Sequence, residues 1–283
     1  MSDSPDGDQA ALLAAIADRV RAHGHVPALD GPQYMAGHIA FEGSSDQQGR
    51  ILRWLIERLA QEPGPSIDVL SIGAASGILD VPLLESVEAP TQVRYVVVEP
   101  FEEQCAAFEA RARALRAKPN IDLEIRCETL AATPADRAYD LVLAIHSIYY
   151  VEDLEASLTK LRQLLRPGGE LVIAVAPCEA MNQLAEIFWR PQRDGVVWFE
   201  QDVTRLLEAD RVPFSLERID AQLRMEPHGD ASADIANFLV HSPLGEYGSD
   251  LSPLVLEYLE RVGASKAGEL SIPHPVSMIR VRN

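Results

Sequence analysis

Basic residues, cysteines and long apolar runs are all scarce in this chain, and each shortage removes a class of function. Lysine and arginine together number 25 against 43 aspartates and glutamates, a formal net charge of -18. Such a surface repels phosphate backbones, so no nucleic-acid partner is expected. Charge of this sign mildly favours cationic small molecules. The three cysteines, Cys105, Cys127 and Cys178, lack metal-ligand spacing, and their odd number argues against a disulfide framework. No metal centre is therefore expected, and a reducing, cytoplasmic setting fits. No stretch approaches the ~20 apolar residues of a bilayer span. The start, "MSDSPDGDQ", has no basic region followed by an apolar one, so neither a membrane association nor a secretory signal is expected.

What remains is an ordinary globular composition: 283 residues, 47% hydrophobic and 24% charged, enough for one large domain or a domain with a sizeable insertion. Residues 1–8 read as a disordered tail. "QAALLAAIADRVRAHG" has helical periodicity and ends at Gly24. A loop with Pro27 and Pro32 follows. A second helix starts near Asp46, where Ser45 and Gln48 have capping-box spacing and Ile51, Leu52, Leu55, Ile56 and Leu59 share one face.

From residue 67 the pattern changes. "IDVLSI", "VRYVVVE", "IDLEIRC", "YDLVLAI" and "GELVIAVA" are short apolar strands, most of them followed by a helical stretch, the first running from Gly77 to about Val87. Continuous apolar strands between helices indicate a parallel sheet covered on both faces, a doubly wound α/β domain. Past Pro177 the alternation loosens, with a helix from about Glu179 to Trp189 and a strand near "FSLERIDAQLRM". The expected division is 9–62 for N-terminal helices beside a substrate pocket, 63–225 with 275–283 for the core, and 226–274 for a helical insertion.

"VLSIGAASG", residues 69 to 77, ends an apolar strand in a glycine-flanked turn. In open parallel sheets the ligand sits beyond such a strand end. Gly73 lets the backbone turn, and Gly77 admits a close approach; the same pattern also suits a plain strand-to-helix turn. Glu99, at the end of the second strand and 26 residues after Gly73, can accept hydrogen bonds from both ribose hydroxyls of an adenosine. The competing reading is an acid near a helix N-terminus, and the glycine turn and Glu99 together favour a nucleoside-containing cofactor. The second and third glycines of a dinucleotide fingerprint are replaced by Ala75 and Ile78, which disfavours an NAD-linked oxidoreductase. S-adenosyl-L-methionine carries no phosphate and suits this turn better.

"LSIGAASGILD", "VVEPFEEQ", "IHSIYYVEDL" and "PVSMIRVRN" together resemble the class I methyltransferases and, within them, the histamine N-methyltransferases. The resemblance is scattered from about Tyr34 onward. It implies a Rossmann-like, mostly parallel seven-stranded sheet with helical insertions forming a substrate lid. It also implies that Gly73, Gly77, Glu99, Gln104, Glu128, Thr129 and Ile145 bind S-adenosyl-L-methionine. The family's serine near the adenine stands as Leu130 here, and Ile145 reads equally as core.

The acceptor side follows the fourth strand, where His146, Tyr149 and Tyr150 can wall off water and pack on a flat or cationic acceptor. By the same resemblance Tyr34, His38, Phe41, Asp46 and His274 are substrate-binding, with Asp46 replacing the family's glutamate, His146 a glutamine and His274 an asparagine. Asp46 reads equally as a helix-start residue. His146, Asp46 and His274 are the candidates to accept a proton or select a tautomer. The expected reaction is N-methylation of a small amine or imidazole-like acceptor by direct displacement, in a monomer or weak homodimer. O-methylation and a non-catalytic cofactor-binding partner are the competing functions.

Overall fold

The computed structural model describes residues 5–61, 64–135, 138–192, 196–226, 229 and 231–283. In chain order the helices are α1 (Pro5–His23), α2 (Gly31–Ser44), α3 (Gln47–Leu59), α4 (Asp80–Glu85), α5 (Glu102–Arg111), α6 (Leu154–Gln163), α7 (Asn182–Gln192), α8 (Glu200–Ala209), α9 (Ser232–Val240) and α10 (Leu251–Val262). The strands are β1 (Ser66–Ile72), β2 (Gln92–Val98), β3 (Ile121–Arg126), β4 (Tyr139–Ile145), β5 (Leu165–Val175), β6 (Phe214–Ile219), β7 (Gln222–Met225), β8 (Ala264–Lys266), β9 (Glu269–Pro273) and β10 (Val276–Arg282). They fall into two compact units.

The large-sheet unit comprises Gln48–Ala176, Trp198–Ile219 and Ser277–Asn283. Its seven strands run in the order β3-β2-β1-β4-β5-β10-β6. The pairs β1–β2, β1–β4, β2–β3 and β4–β5 are parallel, and β10 returns antiparallel along β5. This is the class I methyltransferase, Rossmann-like arrangement expected from the sequence. The apolar strand runs are buried on both faces because helices cover the sheet: Leu70, Val96, Val142, Leu171, Ile173 and Ile279 lie in one core cluster. At the far side of this unit Glu170 on β5 is buried and accepts hydrogen bonds from Arg58 on α3 (2.7 Å), Arg280 (2.9 and 3.0 Å) and Arg282 (3.0 Å) on β10. Burial alone would raise its carboxyl, but the three guanidinium groups outweigh that and hold its pKa at about 2. This cluster ties the antiparallel strand to the parallel ones.

The small-sheet unit comprises Met1–Gln47, Pro177–Val197 and Asp220–Val276. Its three strands run β7-β9-β8, both pairs antiparallel. Ile16 of α1, Phe41 of α2, Leu184 and Phe188 of α7, Leu223 of β7, Leu239 of α9, Val255 and Leu259 of α10 and Ile272 of β9 share its core. No chain segment there holds a core by itself. The packing is assembled from three stretches far apart in sequence.

Several expectations are corrected. Helix α1 already covers Pro5–His23, so residues 5–8 are helical where a disordered tail was expected; residues 1–4 lie outside the described residues. The loop expected around Pro32 is largely helix α2, started by a capping box in which Asp30 accepts the Gln33 N–H (2.8 Å) and Gln33 accepts the Asp30 N–H (3.0 Å). The first helix after β1 is shorter than expected, Asp80–Glu85 rather than Gly77 to Val87. "FSLERIDAQLRM" is two strands, β6 in the large sheet and β7 in the small one, parted at Asp220 and Ala221. The expected helical insertion 226–274 holds α9 and α10 but also β8 and β9, and it groups with the N-terminal helices α1 and α2 and with α7. Cys105 and Cys127 are joined as a disulfide, where no disulfide framework was expected; Cys178 takes no part in it. No helix among the described residues is long and apolar enough to cross a membrane.

Candidate active site

The large sheet changes direction at β1. From there the chain runs outward through β2 to β3, then returns to the other side of β1 as β4. At such a switch point the loops leaving the two carboxyl ends part, and a crevice opens between them. Four of the loops that carry candidate residues leave adjacent strand ends: 73–79 after β1, 99–101 after β2, 127–135 after β3 and 146–153 after β4.

Gly73 follows β1 with φ +68 and donates its N–H to Val98 O at 2.7 Å, which ties the turn to the end of β2. A Cβ on Gly73 would lie 2.5 Å from Ser147 Cβ, so the two loops touch only because this residue has no side chain. Gly77, with φ +76, answers a different need. Its Cβ would meet the Phe108 ring at 2.7 Å, so the close approach expected there is made by a core side chain of α5.

Glu99 is 4% exposed and turned back onto this loop. Its Oε2 accepts the Ala75 N–H at 3.0 Å and its Oε1 the Phe101 N–H at 3.2 Å. A carboxylate has about four acceptor sites, so two are left for further donors. Gln104 is exposed on the first turn of α5. After β3, Glu128 Oε1 is buried without a hydrogen-bond partner, its nearest cation being Arg126 Nη1 at 3.9 Å. Thr129 builds its own turn: Oγ1 accepts the Ala132 N–H at 3.3 Å, and its carbonyl accepts from the Thr133 backbone and hydroxyl, both at 3.1 Å.

Ile145 ends β4, half-buried and in register with Ala174 of β5. His146 next to it has φ +52, a left-handed conformation uncommon for a residue with a side chain. The two tyrosines separate. Tyr149 is buried in the core cluster, its hydroxyl accepting the Ala176 N–H at 2.6 Å and lying 3.1 Å from His146 Nδ1, while Tyr150 is 59% exposed. Burial lowers His146 to about 4, so its ring is neutral at neutral pH.

The remaining candidates lie in the small-sheet unit. Tyr34, His38 and Phe41 project from α2 into an aromatic cluster with Phe238, at ring-centroid distances of 5.3, 5.4 and 5.2 Å. Tyr34 also meets His241 at 5.8 Å, and His241 stacks on Trp189 at 4.5 Å. His274 is buried, its ring 5.1 Å from Phe41 and its Nδ1 2.8 Å from Ser45 Oγ, while its carbonyl accepts from Gln47 Nε2 at 2.8 Å. Asp46 pairs twice with Gln222 at the start of β7: Oδ1 accepts the Gln222 N–H at 2.7 Å and the Asp46 N–H donates to Gln222 O at 3.2 Å. Its carboxylate therefore starts a strand.

Three contributors were not singled out from sequence. The Ala75 N–H anchors Glu99 through the backbone and leaves no side-chain signal. Ser147 Oγ, buried without a hydrogen-bond partner, was legible only as the neighbour of His146. Glu42, one turn from His38 on α2 and 4.0 Å from its ring, is raised to about 7 by burial. Among the described residues, no group of three or more His, Cys, Asp or Glu could hold a metal ion.

A family profile described as "Methyltransferase domain" matches residues 45–209, more than half of the chain. Histamine N-methyltransferase A of Xenopus laevis is 26% identical over 119 residues, covering 38% of this chain and 41% of that protein. Lovastatin nonaketide synthase mokA of Monascus pilosus is 33% identical over 129 residues, 44% of this chain and 4% of that protein. The chain thus spans less than half the length of these curated relatives. Among solved structures, YcgJ of Bacillus subtilis superposes with a TM-score of 0.56 at 13% identity, covering 82% of this chain and 97% of that one. The [4+2]-cyclase SpnF does so with a TM-score of 0.51 at 15% identity, covering 83% and 80%. At these identities the likeness is one of fold, and a fold houses more than one chemistry.

Proposed function

We propose, from the premise that this chain belongs to the methyltransferase-domain family, that it methylates a nitrogen of a small amine or imidazole-like molecule. The methyl donor of this class is S-adenosyl-L-methionine. The observation that carries the reading is Glu99: a buried carboxylate at the switch point, anchored by two backbone N–H groups and keeping acceptor capacity for a pair of hydroxyls. The buried, unpartnered Glu128 Oε1, Ser147 Oγ and His146 Nε2 around the same strand ends fit a bound polar molecule as well.

Glu99 would hold the ribose hydroxyls of the cofactor, with Gly73, Gln104, Glu128, Thr129 and Ile145 completing its site by resemblance, while Gly77 serves the packing of Phe108. When bound, S-adenosyl-L-methionine supplies an electrophilic sulfonium methyl. The chain's own task is then to align a neutral nitrogen lone pair and to exclude water. His146 and Tyr150 supply the acceptor side at the end of β4, with the buried Tyr149 behind His146. Tyr34, His38, Phe41, Asp46 and His274 are assigned to acceptor binding on resemblance, and His146, Asp46 and His274 are the groups assigned to accept a proton or to select the acceptor's tautomer. The name of the Xenopus laevis relative supports nitrogen as the methylated atom.

The test is incubation of the purified full chain with methyl-labelled S-adenosyl-L-methionine and a panel of amines, imidazoles and phenols. Label on a nitrogen acceptor is the expected result. Label on phenols alone would make the protein an O-methyltransferase, and cofactor binding without transfer to any acceptor would make it a non-catalytic partner. Co-purified nicotinamide would overturn the cofactor itself.

A further inference from the structure

The loop after β4 holds, on two consecutive residues, buried polar atoms that find no hydrogen-bond partner, His146 Nε2 and Ser147 Oγ. Ser147 sits beside the Gly73 turn, since its Cβ occupies the space a Gly73 side chain would need. Orphaned buried polar groups are uncommon in folded proteins and call for an explanation. What lies behind them supplies one.

The backbone N–H of Ala176 can only donate, so at 2.6 Å Tyr149 Oη is its acceptor. A phenolic oxygen delocalises one lone pair into its ring and accepts a second hydrogen bond poorly. In the hydrogen bond with His146 Nδ1, 3.1 Å away, the hydroxyl is therefore the donor. A neutral imidazole that accepts at one nitrogen carries its proton on the other.

We infer that Tyr149 is a positioning residue that fixes His146 as the Nε2–H tautomer, so that His146 donates a hydrogen bond to a lone pair of the bound ligand and is not the proton-accepting base. The ring's neutrality near pH 7, which follows from its burial, agrees with this. The left-handed backbone at His146 agrees as well, because strain of this kind persists where the surroundings hold a side chain in one place. The inference rests on the methyltransferase reading for what the ligand is, and it narrows the acceptor. The atom facing His146 is an unprotonated nitrogen or an oxygen. An ammonium N–H would meet a second donor there.

The experiment uses the full chain labelled with 15N at histidine, in which two-bond proton–nitrogen spectra report the tautomer directly. Signals of His146 are identified by their loss in His146→Gln. The expected pattern has the proton on Nε2 and stays unchanged from about pH 5.5 to 8, where an ordinary histidine titrates. Tyr149→Phe turns it into a tautomer mixture. A proton on Nδ1 in the unaltered protein, or titration of His146 within that range, overturns the inference, and neither result depends on Tyr149→Phe folding.

Two ligand arms follow. A shift of the Nε2 proton on adding S-adenosylhomocysteine alone assigns the lone pair to the cofactor side, and a shift appearing only when histamine is added as well assigns it to the acceptor. No shift in either arm removes the donor role. Because the tautomer is read without turnover, failure of methyl transfer to nitrogen leaves it standing, and a wrong tautomer overturns it even in an active enzyme.

Discussion

The two units place their polar groups in opposite ways. In the large-sheet unit the functional candidates sit at strand ends, and backbone groups hold them: Glu99 by Ala75 and Phe101, Tyr149 by Ala176. In the small-sheet unit side chains far apart in sequence hold one another, as in the ring cluster of Tyr34, Phe41, Phe238 and His274. A site built on strand ends keeps its geometry whatever the outward-facing side chains are. A site built from side chains on three separate segments can be retuned one residue at a time. Asp46 and His274, where the resemblance expects other residue types, lie in the small-sheet unit and carry that contrast.

Four substitutions sharpen or break the comparison. The largest effect is expected for Glu170→Gln, which leaves three guanidinium groups without their buried carboxylate. It should cost roughly 3–5 kcal/mol in urea unfolding. The sign with pH is definite: because the carboxyl is held at about 2 against an ordinary 4.5, its stabilisation is present above 4.5 and lost as pH falls towards 2. A substitution cost that stays the same at acid pH would remove the ion cluster from the account.

Glu99→Ala comes next. Loss of the two proposed hydroxyl bonds to a charged acceptor, about 1.5–3 kcal/mol each, should weaken S-adenosylhomocysteine binding by at least ~100-fold in calorimetry. Unchanged affinity would count against the strand-end site.

Glu42→Gln has a smaller effect, and its sign runs the other way. Burial raises the Glu42 carboxyl to about 7, so the folded state favours the protonated form and loses stability as pH rises from 4.5 to about 7. The variant should be more stable than the parent at about pH 8 and nearly equal at about pH 4 by chemical denaturation.

The smallest effect is expected for Asp30→Ala, which removes the capping box of α2 and should cost ~1 kcal/mol. Thermal unfolding checks it, and a negligible cost would mean that tertiary packing alone holds α2.

Much of the large-sheet unit was legible in the sequence. Continuous apolar runs such as "VVVEP" mark strands buried on both faces, and a glutamate closing such a run has few places to go except the rim. The same reasoning failed at α2, where Gly31, Pro32, Gly37 and Gly43 imitate a loop. The readable signal there was local, the Asp30 and Gln33 capping pair with proline between them. It failed again at "FSLERIDAQLRM", whose alternation does not reveal that the chain changes sheets at Asp220. In the candidate site Gly73 and Glu99 stood out because each follows directly on an apolar strand run, a signal carried by neighbours in sequence. Ser147 did not, because its burial depends on the Gly73 loop arriving from another strand.

By itself the sequence determined the alternation of buried strands and helices, the glycine turn after β1 and the acid after β2, because periodicity and turn chemistry act over a few residues. Only the tertiary structure decided that Gly77 makes room for Phe108, that Asp46 starts a strand, and that Ala176 aims the Tyr149 hydroxyl at His146. Each of these joins groups brought together by sheet order or by packing within a unit, and a hydrogen bond between such groups leaves no trace in either local segment.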